Sequence, residues 1–194
     1  LEDAGAVVLG TTNVPEFGHK GTTDNYIFGP TSTPFDRARN AGGSSGGATA
    51  AAGYGLAAIA QGADGGGSLR IPASWSGVVG FKPSFGRVPI RMRPNGFAGH
   101  TPYLHQGPQT RNVEDAALMM DVLRGPHPRD PFSLPEDEGS SYVAATRESI
   151  DGFDVAYSRD FGVFPVDERV ESIVTDADAA LESAGATVEE VDVD

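Results

Sequence analysis

GADGGGSLRIPAS, residues 62–74, sets three consecutive glycines before the single hydroxyl of Ser68 and follows it with an apolar stretch that reads as packed. Glycine loses more conformational freedom on folding than any other residue, so a glycine run is costly as mere structure. Its use is a bare backbone. Consecutive amides can converge on one point and form an anion-binding hollow. Placed beside Ser68, the amides of Gly65, Gly66, Gly67 and Ser68 would stabilise a developing oxyanion. A helix starting at Ser68 would add its positive end. A flexible surface loop would not usually run on into LRIPASW. Asp64 precedes the run and is expected to serve its structure.

Leu56–Ala60 reads as a buried strand that delivers the chain to Asp64. Ala4–Leu9 (AGAVVL) and residues 78–81 (VVGF) are further short apolar runs, the first a strand buried on both faces. From Thr11 to Ala41 the chain is polar and turn-rich. GGSSGG at 42–47 then opens an Ala-rich helix that Ser44 or Ser45 can cap. Asn112 is placed to cap a second helix with apolar positions Val113, Ala116, Ala117, Met120 and Leu123, stopped by Gly125 and Pro126. Residues 127–141 read as a surface loop. Phe153–Tyr157 is a predicted strand, Glu168–Ser183 a helix ending at Gly185, and Val188, Val191 and Val193 a further strand. Strand, helix, strand is a βαβ unit, and the class is α/β.

The 194 residues carry a net charge of −13 and no basic patch, so nucleic acid and anionic membrane are poor partners. No run approaches a membrane-spanning helix, and LEDAGAVVLG has no basic leader region. With no cysteine, disulfides, thiol catalysis and cysteine-ligated zinc are excluded. Lysine is scarce: Lys20 and Lys82 stand against twelve arginines.

Three motifs fail on context. GSSGG at 43–47 matches the nucleophile elbow, which would make Ser45 the nucleophile, but that turn needs a preceding strand and DRARN is polar. GYGLAA at 53–58 matches a dinucleotide fingerprint, yet it follows a helix and precedes a strand, the reverse of the required order. His100, His105 and His127 sit beside prolines or glycines, where surface loops are expected, and form no metal-ligand spacing.

The two serine motifs are read together. GGSSGG, then Ser68 placed 24 residues after Ser44 in D-x-G-G-S-hydrophobe-R-x-P-A, resembles the amidase signature family. GTTNVPEFG (10–18), FGPTSTPFDRARNAGGSSGG (28–47), GVVGFKPSFGRVP (77–89) and GPQTRNVEDAA (107–117) continue the likeness along the chain. Single motifs of this kind are weak, and an ordered set is specific.

The resemblance implies a mixed β-sheet core flanked by helices, incomplete in this chain, with residues 1–194 as one amidase signature domain truncated at both ends. It implies a serine–serine–lysine arrangement. Ser68 is then the acyl-forming nucleophile and Ser44 the bridging serine, entered through a cis peptide bond and within hydrogen-bonding reach of Ser68. Ser45 supports the site by hydrogen bonding, and Gly65, Gly66 and Gly67 form the oxyanion hole. The family's lysine precedes the first serine motif by several dozen residues. Lys20 sits in the wrong motif and Lys82 in a structural turn, so the base is expected outside this chain. No cofactor and no metal are implied.

The leading expectation is an amidase that hydrolyses a carboxylic amide through an acyl-serine intermediate. The resemblance also admits an A-type amidotransferase chain that acts on glutamyl-tRNA, and the missing lysine admits a degenerate, non-catalytic relative. Gly65 in place of threonine, His105-Gln106-Gly107-Pro108, and Trp75-Ser76 depart from the amidotransferase branch and favour a free-standing amidase. The expected partner is a small-molecule amide, not nucleic acid or a membrane, with a homodimer left open. The expected location is cytoplasmic.

Overall fold

The computed structural model describes residues 1–94, 102–135, 139 and 141–192. It divides into two compact units, Leu1–Thr146 and Arg147–Asp194.

In the first unit, β1 (Ser32–Thr33) and β2 (Asp36–Asn40) form a short antiparallel ladder. Helix α1 (Gly46–Gly53) follows, then β3 (Ile59–Asp64), α2 (Arg70–Ser76) and β4 (Val79–Gly80). Strand β5 (His105–Thr110) lies between β3 and β4 and runs antiparallel to both. Its register sets Asp64 opposite His105 and Ile59 opposite Thr110. Helices α3 (Val113–Leu123) and α4 (Tyr142–Ala145) complete the unit. Its core is made of small residues from α1 (Ala48, Ala50, Ala52), Leu69 beside the glycine run, and Met119 and Met120 of α3. Small side chains let α1 approach β3 and α2 closely, and this holds the two serine loops together.

Helix α3 begins where the sequence places it. Asn112 Oδ1 accepts from the Asp115 amide at 2.7 Å, and Glu114 and Asp115 lie in the first turn, where the helix dipole favours negative charge. Asn112→Ala should cost about 1 kcal/mol, read as a shift in the denaturation midpoint.

The second unit is the predicted βαβ motif. Strands β6 (Asp154–Tyr157) and β7 (Thr187–Glu190) pair in parallel around α5 (Glu168–Ser183). Asp167 caps α5 by accepting from the Arg169 amide, and Gly185 ends it at φ 99°. Val188 lies within β7, Val191 follows it, and Val193 lies outside the described residues. The predicted loop at 127–141 is irregular through residue 135, and residues 136–138 and 140 lie outside the description. Among the described residues, no helix is long and apolar enough to cross a membrane.

Several local expectations are corrected. Ala4–Leu9 is not a strand: a short 3-10 turn covers Glu2–Ala4, Gly5 turns left-handed, and Val7 is 82% exposed. An apolar run becomes a strand only where a ladder partner takes its amides and carbonyls, and it pairs with none among the described residues. The strand expected at Leu56–Ala60 begins at Ile59 and runs to Asp64, because Leu56 still closes α1, donating its amide to the Ala51 carbonyl at 2.8 Å. DRARN, judged too polar for a strand, is β2, an exposed strand with its backbone paired to β1. The helix expected at Ser68 starts at Arg70 and spans seven residues, too short for its dipole to carry weight at the site.

Candidate active site

Asp64 ends β3 with a carboxylate that is 1% exposed. Its Oδ1 accepts from the Gly67 amide at 2.7 Å and from Arg70 Nη2 at 3.0 Å; its Oδ2 accepts from the Leu69 amide at 3.1 Å and from Arg70 Nε at 3.0 Å. Four donors around one carboxylate wrap the glycine run into a tight loop. Burial pushes the Asp64 carboxyl up, but the bonds from Arg70, Gly67 and Leu69 outweigh it and lower the pKa to about 2. A carboxyl lowered on folding stabilises above its unfolded value of 3.8, and this is lost as pH falls toward 2. The linkage is worth about 2 kcal/mol, so acid titration should show stability falling below about pH 4, and Asp64→Asn should flatten that limb.

The wrap also sorts the amides. Gly67, expected in the oxyanion hole, spends its N–H on Asp64 and does not line the cleft. Gly65, Gly66 and Ser68 do line it, and their amides donate to no acceptor among the described residues. Of the four amides expected to form the hollow, three are left uncommitted.

The Gly43–Ser44 peptide is cis, as the resemblance implies. Gly43 is pressed on the backbone of an earlier segment: a Cβ there would lie 2.8 Å from Thr22 C and O and 2.9 Å from Lys20 O. Thr23, fully buried, spans the turn by donating to the Ser44 carbonyl at 3.4 Å and accepting from the Gly46 amide at 3.1 Å.

Ser45 does not cap α1 with its side chain. Its Oγ donates to the Ala63 carbonyl and accepts from the Ala63 amide, both at 3.1 Å, stitching the GGSSGG loop to β3. Gly62 leaves the room for this, since a Cβ there would stand 2.7 Å from Ser45 Oγ. The Ser45 amide donates to the Ser68 carbonyl at 3.3 Å and joins the two serine loops directly. The elbow reading fails on this geometry, although a strand does precede the motif: the Ser45 hydroxyl is buried and committed.

Ser44 and Ser68, both half-buried, open on one cleft of about 730 Å³. Their hydroxyls, expected within hydrogen-bonding reach, are not bonded to one another. Ser44 Oγ also neighbours Gly18, where an added Cβ would lie 3.6 Å from it.

Lys20 lines the same cleft. Its Nζ pairs with Asp24 Oδ1 at 2.9 Å, and this bond raises its pKa. Lys82 donates to the Pro83 carbonyl at 3.1 Å, in keeping with its turn.

His105 is not in a surface loop but opens β5, with Nδ1 2.8 Å from the Tyr103 carbonyl and 3.2 Å from that of Asp64. His127 lies in a loop, where its Nδ1 accepts from the Arg129 amide, and His100 lies outside the described residues. Among the described residues, no group of three His, Asp or Glu could hold a metal ion.

Residues without an assigned role in the sequence also build the site. Arg70 holds Asp64, Gln109 Nε2 donates to the Leu69 carbonyl at 3.2 Å, and Phe17, Ile71, Tyr103 and Leu104 wall the cleft. Arg70, Gln109 and Phe17 fall inside quoted motifs, and that position was their available signal.

The Amidase family profile matches residues 1–194. An acylamidase of Rhodococcus erythropolis is 44% identical over 190 residues, covering 98% of this chain and 39% of its own length. The A-type chain of the glutamyl-tRNA(Gln) amidotransferase of Carboxydothermus hydrogenoformans is 40% identical over 191 residues, covering 98% and 39%. The crystal structure of a bacterial aryl acylamidase of the amidase signature enzymes superposes with a TM-score of 0.90 at 46% identity, covering 96% of this chain and 38% of the other. The chain thus spans about two-fifths of the length of the curated relatives it matches. Motifs, fold and relatives converge: the chain belongs to the amidase signature family.

Proposed function

We propose that the protein carrying this chain hydrolyses a small carboxylic amide through an acyl-Ser68 intermediate. Ser68 Oγ attacks the amide carbon while its proton passes to Ser44, whose own proton moves to a base. The carbonyl oxygen becomes an oxyanion held by the amides of Gly65, Gly66 and Ser68. Collapse of the tetrahedral adduct breaks the C–N bond, and the amine leaves with a proton returned through Ser44. Water then cleaves the ester and frees the acid. The base is not assigned to Lys20, whose amine is paired with Asp24 Oδ1 at 2.9 Å.

The observation that carries this reading is the tie between Ser45 N and Ser68 O, which sets two serines from separate loops on one cleft beside uncommitted amides. A fluorophosphonate probe on the full-length protein should label Ser68, located by peptide mass mapping; label confined to another serine would overturn it. The likeness to an amidotransferase chain, at 40% identity, supports a second reading, glutamyl-tRNA amidation with partner subunits. Co-purification with such partners favours it, and amide turnover by the isolated protein counts against it.

A further inference from the structure

His105 meets the oxyanion loop from outside the cleft and has no part in the proton relay. Its Nδ1 lies 2.8 Å from the Tyr103 carbonyl and 3.2 Å from the Asp64 carbonyl. Both partners are acceptors, so Nδ1 carries a proton and shares it between them. The ring stands edge-on to Phe85, with centroids 6.1 Å apart and planes at 82°. Phe85 in turn rests on Phe132 at 5.9 Å.

The Asp64 carbonyl is the last of β3, and its peptide unit carries the Gly65 amide. That peptide is trans, so its C=O and N–H point in opposite directions and whatever fixes one fixes the other. The direction can be read from the residue before. Ala63 sends both its N–H and its C=O to Ser45 Oγ. Backbone groups of successive strand residues face opposite edges, so the Asp64 carbonyl faces β5 and the Gly65 N–H faces the GGSSGG loop.

We propose that His105 is a positioning residue for the oxyanion hollow: its imidazole N–H anchors the Asp64 carbonyl and so aims the Gly65 amide into the cleft. This rests on the acyl-Ser68 reading above. Packing does not do the same work. A Cβ on Gly65 would meet nothing closer than 3.9 Å, and one on Gly66 nothing within 4 Å. The Asp64 carboxylate secures the far end of the loop, at the Gly67 and Leu69 amides. The imidazole secures the near end. A bond donated to the carbonyl also polarises the peptide and makes its N–H a stronger donor.

The test follows fluorophosphonate labelling of Ser68 in the full-length protein, as a maximal rate and a half-saturating probe concentration. The phosphoryl oxygen enters the oxyanion hollow as the label forms. His105→Phe keeps a ring against Phe85 and removes the donor. Its maximal rate should fall about 10-fold, less than the roughly 10²–10³-fold loss of a whole oxyanion donor, because the amide is misaimed rather than absent. Half-saturation should stay within about 2-fold, since the interaction is made only in the transition state. His105→Asn sets a side-chain N–H where Nδ1 stood and should recover most of the rate. His105→Leu, of the same shape without the donor, should not.

Equal rates in the Asn and Leu variants would overturn the proposal, and that pair decides it even where the Phe variant does not fold. A Phe variant with the wild-type rate, or a loss confined to half-saturation, would overturn it as well. Absence of label on wild-type Ser68 would instead defeat the acyl-serine reading, so the two failures are distinguishable.

Discussion

Ser68→Ala in the full-length enzyme should abolish amide turnover, with kcat falling on the order of 10⁶-fold, the scale at which loss of the nucleophile disables a catalytic relay as a unit. The hydroxyl is the atom that forms the acyl bond, and no neighbouring group replaces it. Ser45 Oγ is bound to both backbone groups of Ala63, and Ser44 serves as the proton relay rather than the nucleophile. Stability should barely change, because Ser68 is half-buried and its hydroxyl makes no hydrogen bond among the described residues. Steady-state kinetics with thermal denaturation separates the two effects. Retained turnover in Ser68→Ala would remove the acyl-serine mechanism. Adding Ser44→Ala to it should cost little more, since members of a relay do not add.

Asp64→Ala should lower both stability and activity, the stability by about 3 kcal/mol. The substitution strips the Gly67 and Leu69 amides of their acceptor in a buried site, and that desolvation dominates the cost. The ion-pair share is smaller because the Arg70 side chain is 55% exposed and solvent screens it. Activity should fall about 10²–10³-fold, comparable to losing one oxyanion donor, because nothing then wraps the loop that aims Gly65, Gly66 and Ser68. Arg70→Ala should be the milder change on both counts. A variant at Asp64 with wild-type kcat would show that the loop holds its shape without the carboxylate.

What the sequence by itself determined was local. Helix α5, read over Glu168–Ser183 with Gly185 at its end, and the strand around Val188 lie within one segment, and the structure adds the Asp167 cap. Helix α3 is equally legible because Asn112 bonds three residues ahead. The two serine motifs were legible too, since the chemistry needs a bare backbone beside a hydroxyl, and glycine runs record that directly.

Only the tertiary structure decided which hydroxyl and which amides are available. Ser45 and Ser44 are adjacent and chemically identical, and they part company because Ala63, eighteen residues on, takes both hydrogen bonds of Ser45. Gly65, Gly66 and Gly67 are likewise indistinguishable in sequence. The Asp64 carboxylate claims the third amide and leaves the first two to the cleft. Polar DRARN becomes a strand because β1 supplies a ladder, and apolar Ala4–Leu9 does not because no described strand pairs with it. The cleft gathers Phe17, Ser44, Ser68 and Tyr103 from four separate segments. Such contacts depend on where the backbone returns to itself, and residue spacing along one chain does not encode that.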